Sequence, residues 1–143
     1  MTYTREEYHV SMGEIGKAME FATKYYSLEG LAHACRVAAF VAENPLIPTV
    51  HVERCFALAL MHDLIEDTEF KLEQVRDPQL REQLWLLTHD KEAVDYITYI
   101  KSIPKGTPAY WVKIADIKDH LSLSATLTDK LKAKYCEALT VLL

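Results

Sequence analysis

Residues 55–65 read CFALALMHDLI, and the architecture follows from this stretch. Its first seven residues are apolar on every side of a helical wheel. A helix of that kind belongs at the centre of a domain, with other helices around it. No segment of useful length alternates apolar and polar residues, as a half-buried strand would, and most of the chain reads at helical period. Glycine and proline number only four and five in 143 residues, so few breaks are available. The expectation is a single all-α domain, a compact bundle of about seven helices over residues 1–143.

Outward from the central helix, which is expected over Thr49–Ile65, the punctuation sets the neighbours. A first helix is expected from Ser11 to Tyr26, with Ser11 and Glu14 spaced as a capping box. A second runs from Leu28 to Glu43, with Leu31, Cys35, Ala38 and Val41 on one apolar side. Asn44-Pro45-Leu46-Ile47-Pro48 is a turn, because each proline disfavours helix in the residue before it. Asp77 followed by Pro78 is the pattern of an N-cap with proline at the first helical position, opening a helix to Thr88. Further helices are expected over Lys91–Ser102 and Ala109–Leu121, and from Thr126 or Thr128 to the C-terminus. Phe56, Leu58, Leu60, Trp85 and Trp111 are core candidates. His89 reads as a helix-end cap, and His9 and His51 as solvated.

Composition narrows the function classes. Half the residues are apolar and the formal net charge is −5, which argues against broad binding to nucleic acid or to an anionic membrane surface. The longest apolar run is far too short to span a bilayer. Cys35, Cys55 and Cys136 are odd in number and widely spaced, with no Cys-x-x-Cys pair. They read as small core residues in a reducing cytoplasm rather than as a disulfide framework or a zinc knot.

The chemistry sits at the end of the central helix, in Met61-His62-Asp63-Leu64-Ile65-Glu66-Asp67-Thr68. His62 and Glu66 are four apart, as are Asp63 and Asp67, so each pair shares one side of a helix. Either the helix emerges into water here, or an imidazole and a carboxylate bind a divalent ion while the next turn offers carboxylates for water and proton handling. Two further residues can complete such a site. His33 is a lone imidazole in the apolar LAHACRVAAF. Asp116 lies among Ile114, Ala115 and Ile117, where Lys113 or Lys118 can instead pair with it. Two imidazoles with two carboxylates suit a transition metal better than calcium.

His33, His62-Asp63 and Asp116 together resemble the His…His-Asp…Asp signature of the HD-domain phosphohydrolases. HDLIEDT (62–68) resembles the HDxxEDT motif of the RelA/SpoT-type hydrolase domains and their small stand-alone relatives. LTHDK (87–91), VKIADIKDHL (112–121) and AKYCEAL (133–139) are similar to further segments of that group, and the resemblance covers about residues 18–140. It implies a metal-dependent hydrolase of phosphate or pyrophosphate esters of nucleotides, a (p)ppGpp-like 3′-pyrophosphate among them. It also implies Mn²⁺, with Fe, Co, Zn or Mg as substitutes, held by His33, His62, Asp63 and Asp116. Glu66 and Asp67 then position or deprotonate the attacking water.

The departures bear on substrate. Before His33, in FATKYYSLEGLAH, Lys24 is the only basic residue where the alarmone hydrolases carry a basic pair. His120 replaces the family asparagine, and Ser122-Leu123 replaces Arg-Thr. Lys24, Lys113 and His120 are the substrate-binding candidates, and Tyr25 and Tyr26 either stack on a base or pack. The altered pocket keeps a second reading open, a metal-containing nucleotide-binding regulatory module without turnover. Retention of both Glu66 and Asp67 argues against it. The expected partner is a small phosphate ester, with no nucleic acid and no membrane; a homo-oligomer is compatible with the sequence.

Overall fold

A computed structural model describes residues 13–143; His9 and the Ser11 half of the expected capping box lie outside them. The described residues are helical without any strand. The helices are α1 (Gly13–Tyr25), α2 (Leu28–Glu43), α3 (Thr49–Met61), a single helical turn α4 (Leu64–Asp67), α5 (Pro78–Leu87), α6 (Tyr96–Lys101), α7 (Pro108–Ser122) and α8 (Asp129–Leu142), with one 3₁₀ turn at Leu72–Gln74. Seven of these exceed one turn, which is the expected bundle.

Burial explains the arrangement. In α3, Cys55, Ala57, Leu58, Ala59, Leu60 and Met61 are all buried, and the helix packs against α1, α2, α5 and α7. Removing one such leucine side chain from water is worth about 1.5–3 kcal/mol. α7 is nearly as enclosed: Val112 through Ile117 are all buried, and it lies against α2, α3, α5 and α8. α2, α3 and α7 are therefore mutual neighbours, and these are the three helices that bring the ligand-type residues. Arg54 of α3 ties the periphery together, donating to Glu14 at 2.5 Å and to Asp77 at 2.6 Å.

Local chemistry sets most of the boundaries. Ser27 caps α2 by accepting from the Gly30 amide at 3.2 Å. Asp77 accepts from the Gln79 amide at 2.9 Å and opens α5 at Pro78, as the sequence implied. Thr107 and Thr128 cap α7 and α8.

Three expectations need correction. α3 ends at Met61, not Ile65. The expected helix over 91–102 begins only at Tyr96. Asp90 first captures the amides of Glu92 and Ala93 in a turn, and Asp95 then caps the helix through the Thr98 amide. Cys35 and Cys136 are exposed, as is Trp85, because each lies on the outer face of an amphipathic helix. Cys55 is buried, and burial pushes its thiol up to about 11, which leaves it a packing residue. Among the described residues no helix is long and apolar enough to cross a membrane.

Candidate metal centre

α3 stops where the site begins, and the reason is local. The Ala59 carbonyl, which a continuing helix would offer to the Asp63 amide, instead faces His62, whose Nδ1 donates to it at 2.6 Å. The Asp63 amide donates to the Tyr26 hydroxyl at 3.0 Å. The chain turns at His62–Asp63 and resumes as α4, so adjacent residues aim at one point from the mouth of a helix. Tyr26 is thereby a packing and positioning residue, not a free stacking platform.

His33 of α2, His62 and Asp63 of this turn, and Asp116 of α7 each present a ligand atom, and the four atoms all lie within 4.8 Å of one another. His33 Nε2 is 3.2 Å from His62 Nε2, 2.9 Å from Asp116 Oδ1 and 3.4 Å from Asp63 Oδ2. His62 Nε2 is 3.2 Å from Asp63 Oδ2 and 3.3 Å from Asp116 Oδ1. These separations match adjacent vertices around an ion with ligand distances of about 2.0–2.3 Å. The cluster can hold a metal ion.

The imidazoles support that fit independently. His62 Nδ1 donates to the Ala59 carbonyl, and His33 Nδ1 donates to Asp119 Oδ2 at 2.6 Å. With both Nδ1 atoms committed as donors, both Nε2 lone pairs are directed at the common centre once their protons leave. Asp119 is wholly buried and receives Arg36 Nε at 2.8 Å and Arg36 Nη2 at 3.1 Å. Burial works against its charge, but the hydrogen bonds from Arg36 and His33 hold its carboxyl below the usual carboxylate range. Sequence reasoning did not single out Asp119. Its one signal was position: three residues after Asp116, it shares that side of an apolar helix.

Electrostatics in the metal-free cluster follow the same geometry. Burial opposes a charge on His62, yet Asp63 and Asp116 raise its pKa well above the ordinary value. Burial is the largest single influence on His33 and opposes its charge, but the bond and charge of Asp116 together with the bond to Asp119 raise it on balance. Asp116 is buried, but Lys113 and His62 hold it well below the usual range. Lys113 Nζ donates to Asp116 Oδ2 at 2.9 Å, which leaves Oδ1 for the imidazoles.

A cavity of about 220 Å³ opens beside this cluster. Glu66, Asp67, Lys113 and His120 line it, as do His89, Lys91, Tyr96, Tyr99, Lys134 and Tyr135, which sequence reasoning did not assign to a site. Glu66 accepts from the His89 amide, and burial raises its pKa. Burial and then Asp63 raise that of Asp67. His89 is not a helix cap: its ring stacks on Tyr99 and its Nε2 donates to the Val94 carbonyl at 2.6 Å. His120 lies one turn beyond Asp116, with Nε2 3.3 Å from Asp116 Oδ1 and its ring stacked on Tyr135 at 4.8 Å. Lys24 is elsewhere. It is exposed, its ammonium sits 5.3 Å from the Tyr25 ring centroid, and it forms no part of the cavity wall.

No protein-family model matches this sequence, and no curated protein matches it significantly.

Proposed function

We propose that this protein is a metal-dependent phosphohydrolase of the HD-domain type, acting on a phosphate or pyrophosphate ester of a small nucleotide-like molecule. One observation carries the reading: two tautomer-fixed imidazoles and two carboxylates converge beside a lysine-rich cavity that also holds two further carboxylates. Mn²⁺ is the metal proposed, since mixed oxygen and imidazole donors accept it; Fe, Co, Zn and Mg are the alternatives. A bound divalent ion lowers the pKa of water, polarises a phosphoryl oxygen and offsets charge in the transition state.

The residues divide the remaining work. Lys113, held as a cation by Asp116, fixes that carboxylate and faces the cavity. Either Glu66 or Asp67, one helical turn past the ligands, accepts the proton of the attacking water as its oxygen bonds to phosphorus, while the other orients that water. The raised pKa of each brings it nearer the pH at which a general base works well. The bond from phosphorus to the leaving oxygen then breaks, and that oxygen takes up the proton the carboxylate accepted. Three free cysteines agree with a reducing cytoplasm as the place of action.

The test of the metal half of this reading is elemental analysis of protein purified without chelator. One ion per chain is expected, and none in His62→Ala. A wild-type protein that takes up no divalent metal would leave the cluster as a buried hydrogen-bond network.

A further inference from the structure

A third imidazole crowds the same oxygen that His33 and His62 approach. Asp116 Oδ1 is 2.9 Å from His33 Nε2, 3.3 Å from His62 Nε2 and 3.3 Å from His120 Nε2. A carboxylate oxygen offers about two lone pairs. Asp116 Oδ2 is already taken by Lys113 Nζ at 2.9 Å. The third imidazole is therefore one more than Oδ1 can satisfy by hydrogen bonds. A cation among these atoms relieves the crowding, because each nitrogen then turns a lone pair to the ion and needs no share of Oδ1.

His120 reaches this point from the same helix as Asp116. Four residues separate them on α7, so they lie one turn apart on one side. The His120 ring stacks on Tyr135, 3° from parallel with centroids 4.8 Å apart, and lies 4.9 Å from the His33 ring. Its side chain is 36% exposed and belongs to the last turn of α7, which ends at Ser122, so the ring has room to pivot. The pivot matters, because His120 stands outside the four residues whose ligand atoms all lie within 4.8 Å of one another. It borders that set through Asp116 Oδ1 and lines the cavity beside it.

We propose that His120 is a fifth protein ligand, so that the bound ion is held by three imidazoles and two carboxylates. This rests on the metal half of the function proposed above and not on the reaction. The asparagine at the matching place in the family that the sequence resembles has no imidazole nitrogen to give, so the ligand is particular to this chain. A third imidazole strengthens the binding of Co²⁺ and Zn²⁺ more than that of Mn²⁺, which leans toward oxygen donors. On an octahedral ion, five protein ligands leave one open position for water or a phosphoryl oxygen.

The experiment is X-ray absorption at the zinc edge on the full chain loaded with one Zn²⁺, with wild type beside His120→Phe, and competition titrations of Zn²⁺ and Mn²⁺ on the same proteins. Phenylalanine keeps a ring to stack on Tyr135 and removes the nitrogen. The imidazole scattering is expected to fit three rings in wild type and two in His120→Phe. The affinity for Zn²⁺ is expected to fall by about tenfold or more, since loss even of an outer partner of a ligand costs about that, and the affinity for Mn²⁺ by less. Tyr135→Phe, which keeps the stack and leaves the nitrogen alone, is expected to match wild type. A zinc spectrum unchanged in His120→Phe overturns the fifth ligand, whatever the affinities, and leaves the four-residue centre standing. A wild-type chain that takes up neither ion overturns the metal reading and the fifth ligand with it.

Discussion

Replacing Asp119 with Asn keeps the shape of the side chain and removes its charge. In the native protein this buried carboxylate receives His33 Nδ1 at 2.6 Å and two nitrogens of Arg36. An Asn can turn its oxygen toward His33 or toward Arg36, but its amide then presents donors to the other, which is a donor itself. His33 thus loses either its orientation or the carboxylate that makes its Nε2 a strong donor. Removing such an outer partner typically weakens metal binding about 10–100-fold, or roughly 1.4–2.7 kcal/mol. The fold also loses a charge-assisted contact, worth about 1.5–3 kcal/mol. Because Arg36 is largely exposed, rehydration recovers part of this, and the lower end applies. The assay is competition for Co²⁺ or Zn²⁺ against a fluorescent chelator, with melting temperature measured on the same samples without metal. Wild-type metal affinity in Asp119→Asn would refute the idea that this carboxylate tunes His33. A lowered melting temperature with unchanged affinity would reduce it to a structural ion pair.

Other outcomes follow from the same geometry. Glu66→Gln and Asp67→Asn are expected to keep one metal per chain and to slow turnover by about 10²–10⁴, the usual cost of losing a general base; full activity in both variants would remove the water-activation role. Metal binding is expected to release protons at pH 7, because His33 and His62 are raised in the metal-free protein and must shed Nε2 protons. Affinity should therefore fall as pH falls, and titrations in buffers of different ionisation enthalpy count the protons. Leu58→Ala, at a fully buried position of α3, is expected to cost about 2–5 kcal/mol in urea unfolding, against little change for the exposed Trp85→Ala.

How far the sequence could be read depended on whether the deciding contacts were local. The caps at Asp77 and the helix over 28–43 were legible because a capping residue and an apolar stripe act within a few positions. The central place of α3 followed from its all-round apolarity. The four converging residues were legible as ligand types in apolar settings, with the family resemblance joining them across three helices. The break after Met61 was not legible, because it depends on Tyr26 taking the Asp63 amide from 37 residues away. The cavity wall was equally hidden. Nothing local marks Tyr96, Lys134 or Tyr135 as site residues, and only the packing of α8 against α6 and α7 carries them to Asp116. Lys24 shows the reverse error: the family resemblance, with its basic pair before the first metal histidine, placed it in the pocket, but its ammonium sits by the Tyr25 ring, outside the cavity wall.

Whether the cluster hydrolyses phosphate esters is tested most directly by phosphate release from a nucleotide panel that includes 3′-phosphorylated and pyrophosphorylated compounds, with Mn²⁺-loaded wild type beside Asp63→Asn. Wild type is expected to turn over at least one pyrophosphorylated compound, with the activity stopped by chelator and absent in the variant. Protein that carries one ion per chain and hydrolyses no member of the panel would contradict the phosphohydrolase reading and would leave a metal-containing binding module in its place.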